Sequence, residues 1–234
     1  MSGGNSSNVS PYGKVCQAAH LLGRVIQHIN FEHNVKEADS EMHWAEALQL
    51  QRAADSFLRD LDNEFQSATS DRRLRLLTAK AIAFSTLMNL FDVAVCTEGD
   101  TIRVTDDSMS ARIEVQSIAM REQIRIAAEV VHFAREVNHI VAMEGMKVIS
   151  PLICECYYQA AAYYAWHYRE SGNDRSLDAL NSLRQALSSI DVRWHVAGEY
   201  ETGAECSSTN GAFTGSYIRL LERTEYEWKG GCRF

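Results

Sequence analysis

Apolar residues recur along this chain at steps of three and four, the spacing that lines up one face of an α-helix. From Pro11 to about Phe31 the stripe is Val15, Ala18/Ala19, Leu22, Val25/Ile26 and Ile29. From Glu41 to Phe65 it is Ala47, Leu50, Ala54, Phe57/Leu58, Leu61 and Phe65, with charges on the opposite face. Asn63 to Asp71 reads as a turn. Leu74, Leu77, Ala81, Phe84, Met88, Phe91 and Val95 form the most regular stripe. Leu76, Ala83, Leu87, Leu90 and Ala94 give that helix a second apolar side, which calls for neighbours on both. Residues 98–109 are polar and read as a loop in which Ile102-Arg103-Val104 has room for a β-bridge at most. A helix of about 30 residues follows, striped by Ile113, Met120, Ile124, Ala127, Val131, Ala134 and Val141 and ending near Gly145.

The stretch from Ser150 to Gly172, SPLICECYYQAAAYYAWHYRESG, carries its own punctuation. Ser150 suits a helix cap, Pro151 the first helical position and Gly172 a left-handed terminator, with Asn173-Asp174 placed to cap the next helix. Nearly every position between is apolar, small or aromatic, so this helix has no face wide enough for water and belongs inside a bundle. A last clear stripe, Leu177, Leu180, Leu183, Leu187, Ile190 and Trp194, runs to about Tyr200. The fold class is therefore all-α, a bundle of six to seven helices with a central buried helix over 151–170. The doubtful seventh helix is the amphipathic YIRLLERTEYEW near the end. Residues 1–10 read as a disordered tail, 11–200 as the helical domain, and 201–234 as loop, short helix and tail.

Composition adds limits. In 234 residues there are only two prolines, both at expected helix starts, and no glycine or proline interrupts Arg24–Glu98. A net charge of −8 argues against non-specific binding of nucleic acid by this chain. The start, MSGGNSSNVS, lacks the pattern of a secretory signal, and no apolar run approaches the ~18–20 residues of a membrane span. With no secretory signal, the six cysteines fit a reducing, intracellular setting better than a disulfide framework, and Cys16, Cys96, Cys154 and Cys156 read as small buried apolar residues.

Candidate chemistry is sparse. His132 and His139 share a helical face, but no third ligand accompanies them. Cys154 and Cys156 project roughly 200° apart on a helix, which suits packing rather than zinc. His20, His28 and His167 read as hydrogen-bonded core or boundary residues. Asp71-Arg-Arg-Leu-Arg75 is either a solvated helix start or a contact for an acidic partner. Asp106-Asp107 lacks the third acid, replaced by Ser110, that magnesium-binding prenyl-transfer helices carry. No nucleophile elbow or phosphate loop occurs, so an enzyme is not expected. The tyrosine-rich segment has two readings, plain core packing or a pocket of apolar walls with convergent hydroxyls. On the second reading a small-molecule effector lies among Phe84, Met88, Phe91, Tyr157, Tyr164 and Trp166.

Three blocks in order carry a family resemblance: PYGKVCQAAHLLGRV from Pro11, EALQL from Glu46 together with SPLICECYYQAAAYYAW, and RWHVAGEY from Arg193. Over roughly Pro11 to Tyr200 the chain resembles the C-terminal part of the regulatory (middle homology) domain of fungal zinc binuclear-cluster transcription factors. That resemblance implies a nuclear protein acting on RNA polymerase II transcription. Its helical domain would restrain an activation function, bind an effector or co-regulator, and support a homodimer. Zinc and DNA contact belong to a six-cysteine module that this chain does not contain, so no cofactor is expected here, nor a membrane. The chain is then a fragment or a truncated relative. The family pattern runs from Gly198-Glu-Tyr200 directly into a segment like Ile218-Arg-Leu-Leu-Glu222, so residues 201–217 read as an inserted loop or a retained intron. Outside that family the alternative is a helical interaction scaffold, although no repeat near 34 residues is visible.

Overall fold

In a computed structural model the described residues are 9–34, 40–96, 106–145, 149–191 and 193–194. They form six helices: α1 Pro11–Asn34, α2 Ser40–Ser67, α3 Ser70–Cys96, α4 Asp106–Glu144, α5 Ile153–Ser171 and α6 Asp174–Asp191. The expected β-bridge, the tails and the seventh helix fall outside the described residues.

The hub of the bundle is α3. It packs on α1, α2, α4 and α5, whereas α5 packs on α3, α4 and α6. The two apolar sides of α3 explain this: Leu76, Leu77, Ala83, Phe84, Leu87, Met88, Leu90 and Phe91 are all buried. The tyrosine-rich helix is buried in the bundle as expected: no residue of α5 from Ile153 to Tyr168 is exposed, and α3 shares the core with it. The stretch Ser70–Asp92 of α3 is long and apolar enough by composition to cross a membrane, contrary to the reading of the sequence, and 78% of its most apolar window is buried against the other helices. Packing accounts for its apolarity.

Helix ends follow local chemistry. Gly172 closes α5 in the left-handed region (φ 63°) and its N–H donates to Tyr168 O at 2.8 Å. The Asn173 side chain then accepts from Arg175 N at 3.0 Å, capping α6. At the other end α5 starts two residues later than expected. Pro151 and Leu152 form a turn, the Leu152 N–H reaches Ser150 Oγ at 3.3 Å, and the helix begins at Ile153 with no side-chain cap. The proline thus sits in the turn that aims α5 rather than in its first turn.

Two more boundaries moved. The turn expected over Asn63–Asp71 shrinks to residues 68–69 because the arginines after it finish α2. Arg73 donates to the carbonyls of Phe65 at 2.9 Å and Gln66 at 3.0 Å, satisfying acceptors that a helix end leaves orphaned. Arg72 binds Glu64 at 2.8 Å and Val9 O at 3.2 Å. The basic cluster is therefore a clamp on the neighbouring helix end and the start of α1. The loop expected to run to Met109 stops earlier, since α4 begins at Asp106.

On α4 the expected stripe holds from Ala127 through Val131 and Ala134, which are buried, and fails nearer the start of the helix. Ala119, Gln123, Ile126, Val130, Phe133 and Val137 are buried at alternating steps of four and three. Met120 and Ile124, assigned inward from the sequence, are 46% and 53% exposed. Gln123, a buried polar residue, broke the apolar count there, and the start of the expected stripe fell on Met120 and Ile124 instead.

Candidate functional site

The aromatic residues gather in two places. The inner group joins α2, α3, α4 and α5. Phe84 meets Phe133 at 5.5 Å between ring centroids, and Phe133 meets Tyr157 edge-on at 6.1 Å. Such tilted and edge-to-face contacts match the quadrupoles of the rings. Beside them, Lys80 Nζ lies over the rings of Phe65, Phe84 and Phe133 at 4.9, 5.8 and 5.4 Å. Its ammonium also contacts Asp62 Oδ1 at 2.8 Å and Glu136 Oε2 at 3.9 Å. A buried cation is tolerated here because carboxylates and ring faces replace its water.

Tyr157 lacks such compensation. It is fully buried, and among the described residues its hydroxyl has no hydrogen-bond partner. Burial, assisted by the neighbouring Cys156, Cys154 and Glu136, holds its pKa well above the usual tyrosine value, so the oxygen keeps its proton as a donor. The cysteines nearby are inert for the same reason. Burial pushes the Cys154 thiol up to about 11. It also raises that of Cys156, whose Sγ donates to Ile153 O at 3.2 Å.

Of the expected pocket residues, Phe84 and Tyr157 are joined through Phe133. Met88 and Phe91 belong to the same buried core. Tyr164 and Trp166 are not part of this group. They are half-buried and pack with Tyr163, whose ring centroid is 5.4 Å from Tyr164 and 6.1 Å from Trp166. Burial pushes Tyr163 up to about 12. The sequence reading missed Phe133 and Lys80. Phe133 went unseen because the expected α4 stripe followed Val131 and Ala134 beside it on the same buried face, and Lys80 because a lone charge carries no signal in an apolar count.

The histidines serve as links between helices. His167 Nδ1 lies 2.9 Å from Ser176 Oγ, tying α5 to α6. Ser176 is buried, which suits a strut rather than a nucleophile. His28 is buried with Nδ1 3.2 Å from Glu46 Oε2, and Arg24 holds the other oxygen of Glu46 at 2.9 Å. His43 stacks on His28 at 4.0 Å with planes 11° apart. Parallel rings at that spacing cannot aim both in-plane lone pairs at one metal. Burial, then His28, lowers the His43 pKa to about 4. His20, expected at a boundary, is exposed, as are His132 and His139. Among the described residues no group of three His, Cys, Asp or Glu is placed to hold a metal ion.

Two open clefts lie away from the aromatic centre. One, about 450 Å³ between α2 and α4, is lined by Asp55, Arg59, Arg121, Glu122 and Arg125 among others. Arg125 there bridges Asp55 at 2.8 Å and Glu129 at 2.7 Å, so its charge is consumed internally. The other, about 640 Å³ between α1 and α2, includes Lys14, Cys16, His20 and Asp60. Compared with known proteins, the chain matches no family model, no curated protein and no solved structure.

Proposed function

We propose that this chain is a helical regulatory domain of the kind found in fungal zinc-cluster transcription factors, acting in the nucleus on RNA polymerase II transcription through an effector or a co-regulator. In that reading DNA and zinc are contacted by a separate module. The support is a coincidence of sequence and geometry: of the resembling blocks, PYGKVCQAAHLLGRV opens α1, EALQL lies in α2, and SPLICECYYQAAAYYAW spans the turn into α5 and most of that helix. The observation that carries the reading is that the last block supplies Tyr157 to the aromatic centre shared by α3, α4 and α5. A change of occupancy there would be felt by three helices at once, which is what a responsive domain requires.

The test is a reporter in which the chain is placed between a heterologous DNA-binding module and an activation region. The chain is expected to restrain output at least several-fold, and Phe133→Ala to release it. Equal output with and without the chain counts against the proposal. A protein-interaction scaffold is the second reading, favoured by Met120 and Ile124, which stand outward one turn apart on α4. Unchanged reporter output and unchanged mass by light scattering in Met120→Glu/Ile124→Glu would remove that reading.

A further inference from the structure

We infer that the effector of the aromatic centre is a neutral, flat, mainly apolar molecule that offers one hydrogen-bond acceptor to the Tyr157 hydroxyl; this rests on the regulatory reading above.

Three features of the interior select that chemistry. Tyr157 Oη is a buried donor without a partner among the described residues, and burial keeps it protonated. An acceptor brought to it would satisfy a group that is otherwise costly to bury. An anion finds no free counter-charge: the cation nearest this centre, Lys80, already contacts Asp62 at 2.8 Å and Glu136 at 3.9 Å. A cation finds the ring faces of Phe84 and Phe133 already turned to Lys80. What remains is a neutral body that stacks against aromatic edges and ends in a carbonyl or ether oxygen.

Phe84, Phe133 and Tyr157 are each buried, so a ligand reaches them by displacing side chains of the core. Two features make this centre adaptable. Met88 is an unbranched core residue on α3, a type that repacks readily. The first turn of α5, just before Tyr157, has no side-chain cap. Displacement of this kind makes a minor open state dominant by binding to it.

Four probes of one skeleton separate the possibilities in a thermal-shift experiment on the full chain: 2-acetylnaphthalene, 2-ethylnaphthalene, 2-naphthoate and 2-naphthylmethylamine. The ketone is expected to raise Tm by roughly 3 °C or more at saturation, the hydrocarbon by clearly less, and the two ions not at all. In Tyr157→Phe the ketone falls to the level of the hydrocarbon. In Phe84→Leu, which makes room, both neutral probes gain. Equal shifts for ketone and hydrocarbon in the unaltered chain, an undiminished ketone advantage in Tyr157→Phe, or no shift with any probe would overturn the inference. If binding fails while the chain still restrains the reporter, the ligand chemistry falls and the regulatory reading stands. If the ketone binds but the reporter is indifferent to the chain, the reverse holds.

Discussion

Lys80 and Tyr157 are two polar groups buried in one aromatic core, and they share a neighbour. The Phe133 ring lies 5.4 Å beneath Lys80 Nζ and 6.1 Å from the Tyr157 ring. Around Lys80, lost water contacts are replaced by two carboxylates and three ring faces contributed by α2, α3 and α4. At Tyr157, brought in by α5, the hydroxyl has no partner among the described residues. The contrast separates a region built to stay shut from one whose burial is incomplete in chemical terms. A fully satisfied buried network fixes helix register; a partly satisfied one is where a core is easiest to rearrange.

The largest effect expected from breaking this comparison comes from the residue common to both sides. Phe133→Ala empties a fully buried position and strips a ring from Lys80 and from Tyr157 together. It should cost about 3–5 kcal/mol in urea unfolding, at or beyond the margin of many domains. Next is Lys80→Ala, which leaves Asp62 and Glu136 facing each other's charge and three rings without their cation. A loss of about 2–4 kcal/mol is expected, whereas Lys80→Met, similar in length and apolar, should recover a good part of it. If Lys80→Met is as damaging as Lys80→Ala, the ammonium and not the packing carries the contact.

Acid sharpens the picture at a second site, where α1 meets α2. The His43 pKa, held down to about 4 by burial and by His28, is below the ordinary 6.5 of the unfolded chain. The unfolded state therefore binds more protons in that interval, and stability falls as pH drops from 6.5 towards 4. Among the described residues, Arg24 and His28 hold Glu46 beside the stack, and the Glu46 pKa is lowered mainly by the His28 hydrogen bond. The loss should be on the order of 2 kcal/mol, less than the full shift implies because His43 retains some solvent contact. Trp44, edge-on to His43 at 5.3 Å, reports it by fluorescence, and His43→Gln should flatten the acid limb.

Much of the architecture was legible because α2, α3 and α6 carry unbroken stripes, and because Gly172 and Asn173 mark a boundary by backbone chemistry alone. Periodicity fails where a polar residue occupies the seam, as Gln123 does, since the count then favours the flank. Arg72 and Arg73 illustrate a second limit. Their partners, Glu64 and the carbonyls of Phe65 and Gln66, belong to the preceding helix, and only the folded turn brings them together. The candidate site was half visible. The tyrosine-rich composition of α5 pointed to a special helix, but Tyr157 separates from Tyr164 and Trp166 only once α4 is placed. Lys80 could not be assigned from sequence, because its cage is assembled from three helices.

The smallest expected effect is the most telling one. Tyr157→Phe removes only the partnerless oxygen, so equilibrium urea unfolding of the unliganded chain should show a gain of about 1 kcal/mol. A loss of stability of that size would mean the hydroxyl is already satisfied in the folded protein, and would contradict the account of a core closed at Lys80 and receptive at Tyr157.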